Sequence, residues 1–136
     1  MTGFILQTEN STIRFNYYST EATETCKAFE ALLPFTKTFM HARVSGQEIW
    51  IDDAPPLHVI QENASVFTNP GEVVYGPDNG GRAKTTNCMG IYYGEGRGLD
   101  ACNIFAYVVE EDKALLADLG EAIWKNGVQE LTFRKK

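Results

Sequence analysis

The sequence predicts a mainly β fold, a closed β-barrel of about eight strands capped by two α-helices. Three observations carry that prediction. Thr12 to Tyr18 alternates with period two, only two stretches change to a helical period, and turn-forming clusters cut much of the remainder of the 136 residues into short strand-like runs. A chain this rich in strands hides its sheet edges most simply by closing on itself, with the helices over the open ends.

The elements follow in order. Phe4 to Gln7 and Thr12 to Tyr18 make a hairpin about "TENS", with Ile13, Phe15 and Tyr17 on one face and Thr12, Arg14 and Asn16 on the other. From Thr20 the period becomes helical. Ala22, Cys26, Phe29 and Leu33 recur on one side, Thr20 supplies the N-cap, and Pro34 ends the run. Strand-like runs near residues 40–45, 48–51, 65–67, 72–75, 87–93 and 101–109 are separated by "APP", "NPG", "GPDNGG" and "GEGRG". Asp112 to Asn126 reads as the second helix, striped by Leu115, Leu116, Leu119, Ala122 and Ile123. Glu110, Glu111 and Asp112 suit its positive end, and Lys125 and Gly127 suit its negative end. Val128 to Phe133 is the last strand.

The length suits one domain over residues 1–136. Acidic residues outnumber basic ones 18 to 12, and the only basic cluster is Arg134, Lys135 and Lys136, which argues against nucleic acid as a partner. No apolar run reaches the roughly 18 residues of a spanning helix. "MTGFILQTEN" lacks the charged start and long apolar stretch of a signal peptide, so a cytoplasmic location and no membrane partner are expected. Cys26, Cys88 and Cys102 form no CxxC pair, and burial explains them better than nucleophilic roles. With His41 and His58 as the only histidines, and no HxH or HExxH, neither metal nor cofactor is expected.

The stretch "FMHARVSGQEIW", residues 39–50, concentrates functional side chains. A two-residue turn at Ser45 and Gly46 sets Arg43 opposite Glu48, Ala42 opposite Ile49 and His41 opposite Trp50. Met40, Ala42, Val44, Ile49 and Ile51 then face the barrel interior, and His41, Arg43, Glu48 and Trp50 share the outer face. A glycine bulge at Gly46 is the competing geometry, and a one-residue slip sends one strand's polar set inward. By pattern alone Arg43 and Glu48 form an exposed cross-strand ion pair worth about 0.2–1 kcal/mol.

The second half of the chain resembles the cyclophilins in "NPGEVVYGPDNGG", "TTNCMGIYYG" and "GLDACNIFAYVVEEDKALLADLGEAI", and "MHARV" is similar to their phenylalanine-histidine-arginine-valine run. The likeness spans roughly residues 39–126 and implies a cyclophilin-like barrel. It departs at the site. Ala42 separates His41 from Arg43, "EIWIDD" stands where cyclophilins have glutamine-glycine-glycine, and Gly98 stands where their proline-pocket tryptophan precedes leucine-aspartate. Prolyl isomerase activity, which needs that pocket and an arginine on the twisted amide, is therefore not implied. "ETCKAFEALLPF", "HARVSGQEIW", "ENASVF", "NIFAYV" and "IWKNG" further resemble a bacterial family of small standalone cyclophilin-like proteins of largely unassigned function. The barrel is also similar to that of cucumopine synthase, an opine-forming enzyme that condenses histidine with 2-oxoglutarate and closes the imine into a ring.

That resemblance implies an enzyme without metal or cofactor, doing general acid–base chemistry at a C–N centre of a carboxylate-bearing nitrogenous metabolite. The catalytic candidates are Glu48, His41, Tyr93 and Glu95: Glu48 or Glu95 moves a proton, His41 is of the side-chain type that titrates near neutrality, and Tyr93 donates to a developing anion. For substrate binding, Arg43 offers a planar fork to a carboxylate, Trp50 a stacking wall and Tyr92 a second hydroxyl. Tyr92 and Tyr93 point to opposite faces of one strand, so at most one lines a given site. Glu95, inside "GEGRG", sits at a hairpin tip or on a substrate lid. The rival expectation is a non-catalytic barrel that binds a metabolite or partner. A homodimer is left open.

Overall fold

The computed structural model describes residues 1–78 and 85–136. Strands β1 (Gly3–Gln7) and β2 (Thr12–Tyr17) form the first hairpin, with Gln7 opposite Thr12. Ile13, Phe15 and Tyr17 are buried while Thr12 and Arg14 are exposed, as the alternation predicts. Helix α1 (Thr23–Leu32) starts later than expected, with Ala22 rather than Thr20 at its N-cap. Sheet bonding delays it. The Tyr18 N–H still donates to Phe105 O, and the chain then turns through residues 18–22, with the Ala22 N–H bonded to Tyr18 O and the Thr23 hydroxyl to Ser19 O. The stripe itself is as read, with Ala22, Cys26, Phe29 and Leu33 all buried.

Strands β3 (Phe35–His41), β4 (Gly46–Ile51), β5 (Ala64–Phe67), β6 (Glu72–Tyr75) and β7 (Met89–Val108) follow, then a 3-10 turn at Glu110–Asp112, helix α2 (Lys113–Asn126) and β8 (Gln129–Lys135). β3 begins well before residue 40, pairing with β8 from Phe35 opposite Phe133 to Phe39 opposite Gln129. Lys37 hides this from the pattern, because it takes an apolar position and carries its ammonium out to Asp53 at 3.4 Å. β7 runs unbroken through "GEGRG", which is neither a hairpin tip nor a loop. In α2, Leu115 is 37% exposed and Gly120 takes a buried place in the stripe instead. The expected turn at "GPDNGG" extends into residues 79–84, outside the described residues.

The sheet order is β2-β1-β8-β3-β4-β7-β5, and pairing of β2 with the far arm of β7 closes a hydrogen-bonded ring. Long β7 curls round so that its two arms, running in the same direction, flank β6 and Val73 pairs with both Ile91 and Ala106. Among the described residues this makes a mainly β fold of eight strands and two α-helices. α1 drives Phe29 into the ring interior, with ring centroids 4.8 Å from Phe4 and 5.0 Å from Phe105. Fully buried Asn103 donates to Thr25 Oγ1 and Ile60 O and accepts the Glu62 N–H, tying α1 and the segment before β5 to β7. At the entry to α2, the Arg14 guanidinium grips Asp112 through two bonds of 2.9 and 3.1 Å and holds its carboxyl below the usual range.

Candidate functional site

The hairpin carrying the functional side chains has a different register from the two-residue turn. His41 pairs with Ile49 and Met40 with Trp50, and the Ala42 N–H donates to Glu48 O, one residue off the expected alignment. Ser45 causes the slip. Its carbonyl accepts the Arg97 N–H of β7 and its hydroxyl donates to Glu48 Oε1 at 2.5 Å, which pulls the connection away from β3. Gly46, at φ +103, pairs with Gly96 rather than with a residue of β3. The one-residue slip therefore prevails. Ile49 and Ile51 point into the core as expected, but Met40 shares the face of Glu48 and Trp50, and Val44 is exposed. His41 falls on the other face, and Arg43 does not stand opposite Glu48.

The Glu48 face looks onto a cavity of about 530 Å³. Its walls include Met40, Arg43, Trp50, Val74, Met89 and Leu99, with Tyr92 and Glu48 at one side. Glu48 is only 8% exposed, and among the described residues no cation pairs with it. Burial pushes its carboxyl from 4.5 up to about 7, against hydrogen bonds from Ser45 and Tyr92 that favour the charged form. The Tyr92 phenol is in turn raised, by burial and then by the Glu48 charge. The expected exposed ion pair between Arg43 and Glu48 is not formed. Instead, a nearly dry carboxyl held by two hydroxyls borders an open cavity.

Backbone geometry reserves the space for that carboxyl. Gly90 lies on β7 behind Glu48, and a Cβ there would overlap Glu48 Oε2. Gly90→Ala is expected to displace the carboxyl and cost about 1–3 kcal/mol in a urea melt, as overpacking does. An unchanged melt would mean the carboxyl moves freely.

Residues 5–135 match the profile of a family described as "Protein of unknown function (DUF3830)". The chain belongs to the DUF3830 family. No protein of curated function matches this DUF3830 chain in sequence. Among solved structures it is similar to McbB in complex with tryptophan, with a TM-score of 0.78 and 20% identity over 98% of this chain. The chain spans 44% of McbB's length. It is also similar to a hypothetical protein from Archaeoglobus fulgidus solved in solution, with a TM-score of 0.66 and 16% identity over 99% of this chain and 95% of that one. A cyclophilin-type peptidyl-prolyl cis-trans isomerase from Cryptosporidium parvum, in the presence of the dipeptide Ala-Pro, gives 0.61 and 14% over 98% and 96%. These likenesses show the fold, and the cyclophilin-like expectation stands.

Of the DUF3830 chain's predicted site residues, Glu48, Arg43, Trp50 and Tyr92 meet around the first cavity. His41 borders it but turns its ring to the far side, where Nε2 lies 2.7 Å from the Tyr93 hydroxyl. Tyr93 faces α2 and is not part of that cavity. Glu95 is exposed on β7 and does not border that cavity; its N–H donates to Gln47 Oε1. The sequence reading missed Ser45, treated there as a turn residue, although its place three residues before Glu48 is a local signal. It also expected Cys88 and Cys102 to be buried. Both are half-buried on the cavity wall, and burial pushes their thiols up to about 11 and about 12, away from nucleophilic behaviour. Cys26 is buried as expected. Asp52 borders the cavity as well. Among the described residues, no three His, Cys, Asp or Glu side chains gather as metal ligands. Among the described residues, no helix is long and apolar enough to cross a membrane.

Proposed function

We propose that this DUF3830 domain is a cofactor-free enzyme that moves protons at a C–N centre of a small carboxylate-bearing nitrogenous metabolite, with Glu48 as the acid–base group. The observation that carries this reading is the Glu48 carboxyl, buried beside an open cavity and poised at about 7. A carboxyl at that value both accepts and returns a proton at neutral pH. A purely structural acid is ordinarily paired with a cation or left in water, and among the described residues Glu48 is neither.

Imine cyclisation is the concrete example. The attacking atom forms its bond to the imine carbon and gives its proton to Glu48, the C=N electron pair moves to nitrogen, and that nitrogen takes a proton back from the Glu48 acid. Protons balance over the cycle. Ser45 and Tyr92 keep the carboxyl aimed, and Arg43 at the cavity wall is suited to a substrate carboxylate. Trp50 offers a flat wall. That McbB holds tryptophan supports a ligand of amino-acid size, which a cavity of about 530 Å³ admits.

The test is product formation, read by mass spectrometry, in a screen of amino acids against 2-oxo acids. Arg43→Ala is expected to lower kcat/KM by about 10- to 100-fold, mainly through KM. Saturable quenching of Trp50 with no product across the screen would instead make the domain a non-catalytic metabolite-binding module. Arg43→Ala kinetics equal to the parent's would remove the assigned carboxylate contact.

A further inference from the structure

Behind the segment 42–45, on the side away from Glu48, lies a second cavity of about 410 Å³ that the proposed chemistry does not use. Its functional lining is His41, Arg43, Gln47, Tyr93, Glu121 and Trp124. We propose that it is a separate ligand site for a small zwitterion with a planar side chain, of which an aromatic α-amino acid is the simplest member.

The argument begins with His41. Its Nδ1 lies 2.7 Å from Ala42 O, an atom that only accepts, so Nδ1 carries a proton. Its Nε2 is engaged by the Tyr93 hydroxyl at 2.7 Å. With both ring nitrogens occupied, the imidazole acts as a strut. What it supports is Trp124, whose ring centroid lies 4.6 Å away. Trp124 is nevertheless 62% exposed, so α2 presents a large flat ring that is braced on one side and open to solvent. A braced indole loses little freedom when a second ring stacks on it.

Charge supplies the rest of the selectivity. Arg43 and Glu121 border the same small cavity, and among the described residues neither is paired with the other. Among the described residues the ion pair of Glu121 is with Lys125, at 3.8 Å, in a surface pair along the helix that a better partner displaces at little cost. The Tyr93 phenol is raised by burial and then by the Glu121 charge, which places that carboxylate near the hydroxyl. A cation and an anion in one cavity match a carboxylate and an ammonium on one molecule. The wall between the cavities is anchored through the Ser45 carbonyl on Arg97 and its hydroxyl on Glu48, so the two compartments stay distinct and share Arg43.

The chain's two tryptophans report on the cavities separately, Trp50 in the first and Trp124 in the second. In a Trp50→Phe variant, phenylalanine is expected to change Trp124 emission saturably. N-acetylphenylalanine lacks the ammonium and phenethylamine lacks the carboxylate, and each is expected to bind about tenfold or more weakly, as is phenylalanine itself to Glu121→Gln. Should Trp50→Phe fail to fold, the Trp124 indole N–H signal in the NMR spectrum of the unaltered chain gives the same readout. A Trp124 signal that does not saturate, that responds to either single-charge probe as strongly as to phenylalanine, or that ignores Glu121→Gln overturns the proposal. None of these readouts requires turnover, so failure here and failure of the chemistry at Glu48 are told apart.

Discussion

Glu48→Gln is expected to remove turnover, by about 10²–10⁴-fold, and at the same time to make the protein more stable at neutral and alkaline pH. The sign follows from its titration. Folding raises the carboxyl from 4.5 to about 7, so below 4.5 the group is protonated in both states and carries no penalty. Between 4.5 and about 7 the unfolded chain releases the proton while the folded one retains it, so stability falls with every step up in pH. Above about 7 both states are ionised and the full penalty of burying the charge remains, roughly 3 kcal/mol. Glutamine keeps the shape without the charge. Its stability should therefore exceed the parent's by up to roughly 3 kcal/mol at pH 8 and by little at pH 4. Urea melts of the two proteins across this range measure the difference directly. A residue that costs stability and is removed only at the expense of activity is the signature of a working site.

Phe29→Ala should produce the largest loss of stability, about 3–5 kcal/mol. Phe29 is buried against Phe4 and Phe105, and also lies within ring-contact range of Tyr17, Phe35 and Phe133. Those partners come from β1, β2, β3, β7 and β8, so one side chain closes the ring interior against α1. The cavity left behind has rigid walls of strand and cannot collapse easily. The midpoint of urea unfolding should fall with its slope unchanged. A loss below about 1 kcal/mol would mean α1 lies on the ring as an external strap.

The sequence reveals most where structure is decided locally. Ile13, Phe15 and Tyr17 alternate because β2 buries one face, and Ala22, Cys26, Phe29 and Leu33 recur because α1 buries one stripe. Gly127 ends α2 as read, with φ +99 and its N–H on Ile123 O. The continuity of β7 escaped this logic because "GEGRG" looks like a turn, yet pairing with Gly46 and Phe67 holds it extended. The hairpin register escaped it for a related reason. Contacts of Ser45 with Arg97 and Glu48 outweigh the local preference for a two-residue turn. That slip explains the fate of the site residues. Glu48, Trp50, Arg43 and Tyr92 gather at one cavity, His41 and Tyr93 meet behind it, and Glu95 is left outside.

The central claim is that Glu48 exchanges its proton near neutrality, and the most direct measurement is a carbon-13 NMR titration of the glutamate side-chain carboxyls. The signal missing from Glu48→Gln identifies the residue. A midpoint near 7 is the predicted result. A midpoint at the ordinary 4.5 would contradict the account, because a carboxylate that is always charged at neutral pH could not return the proton it takes.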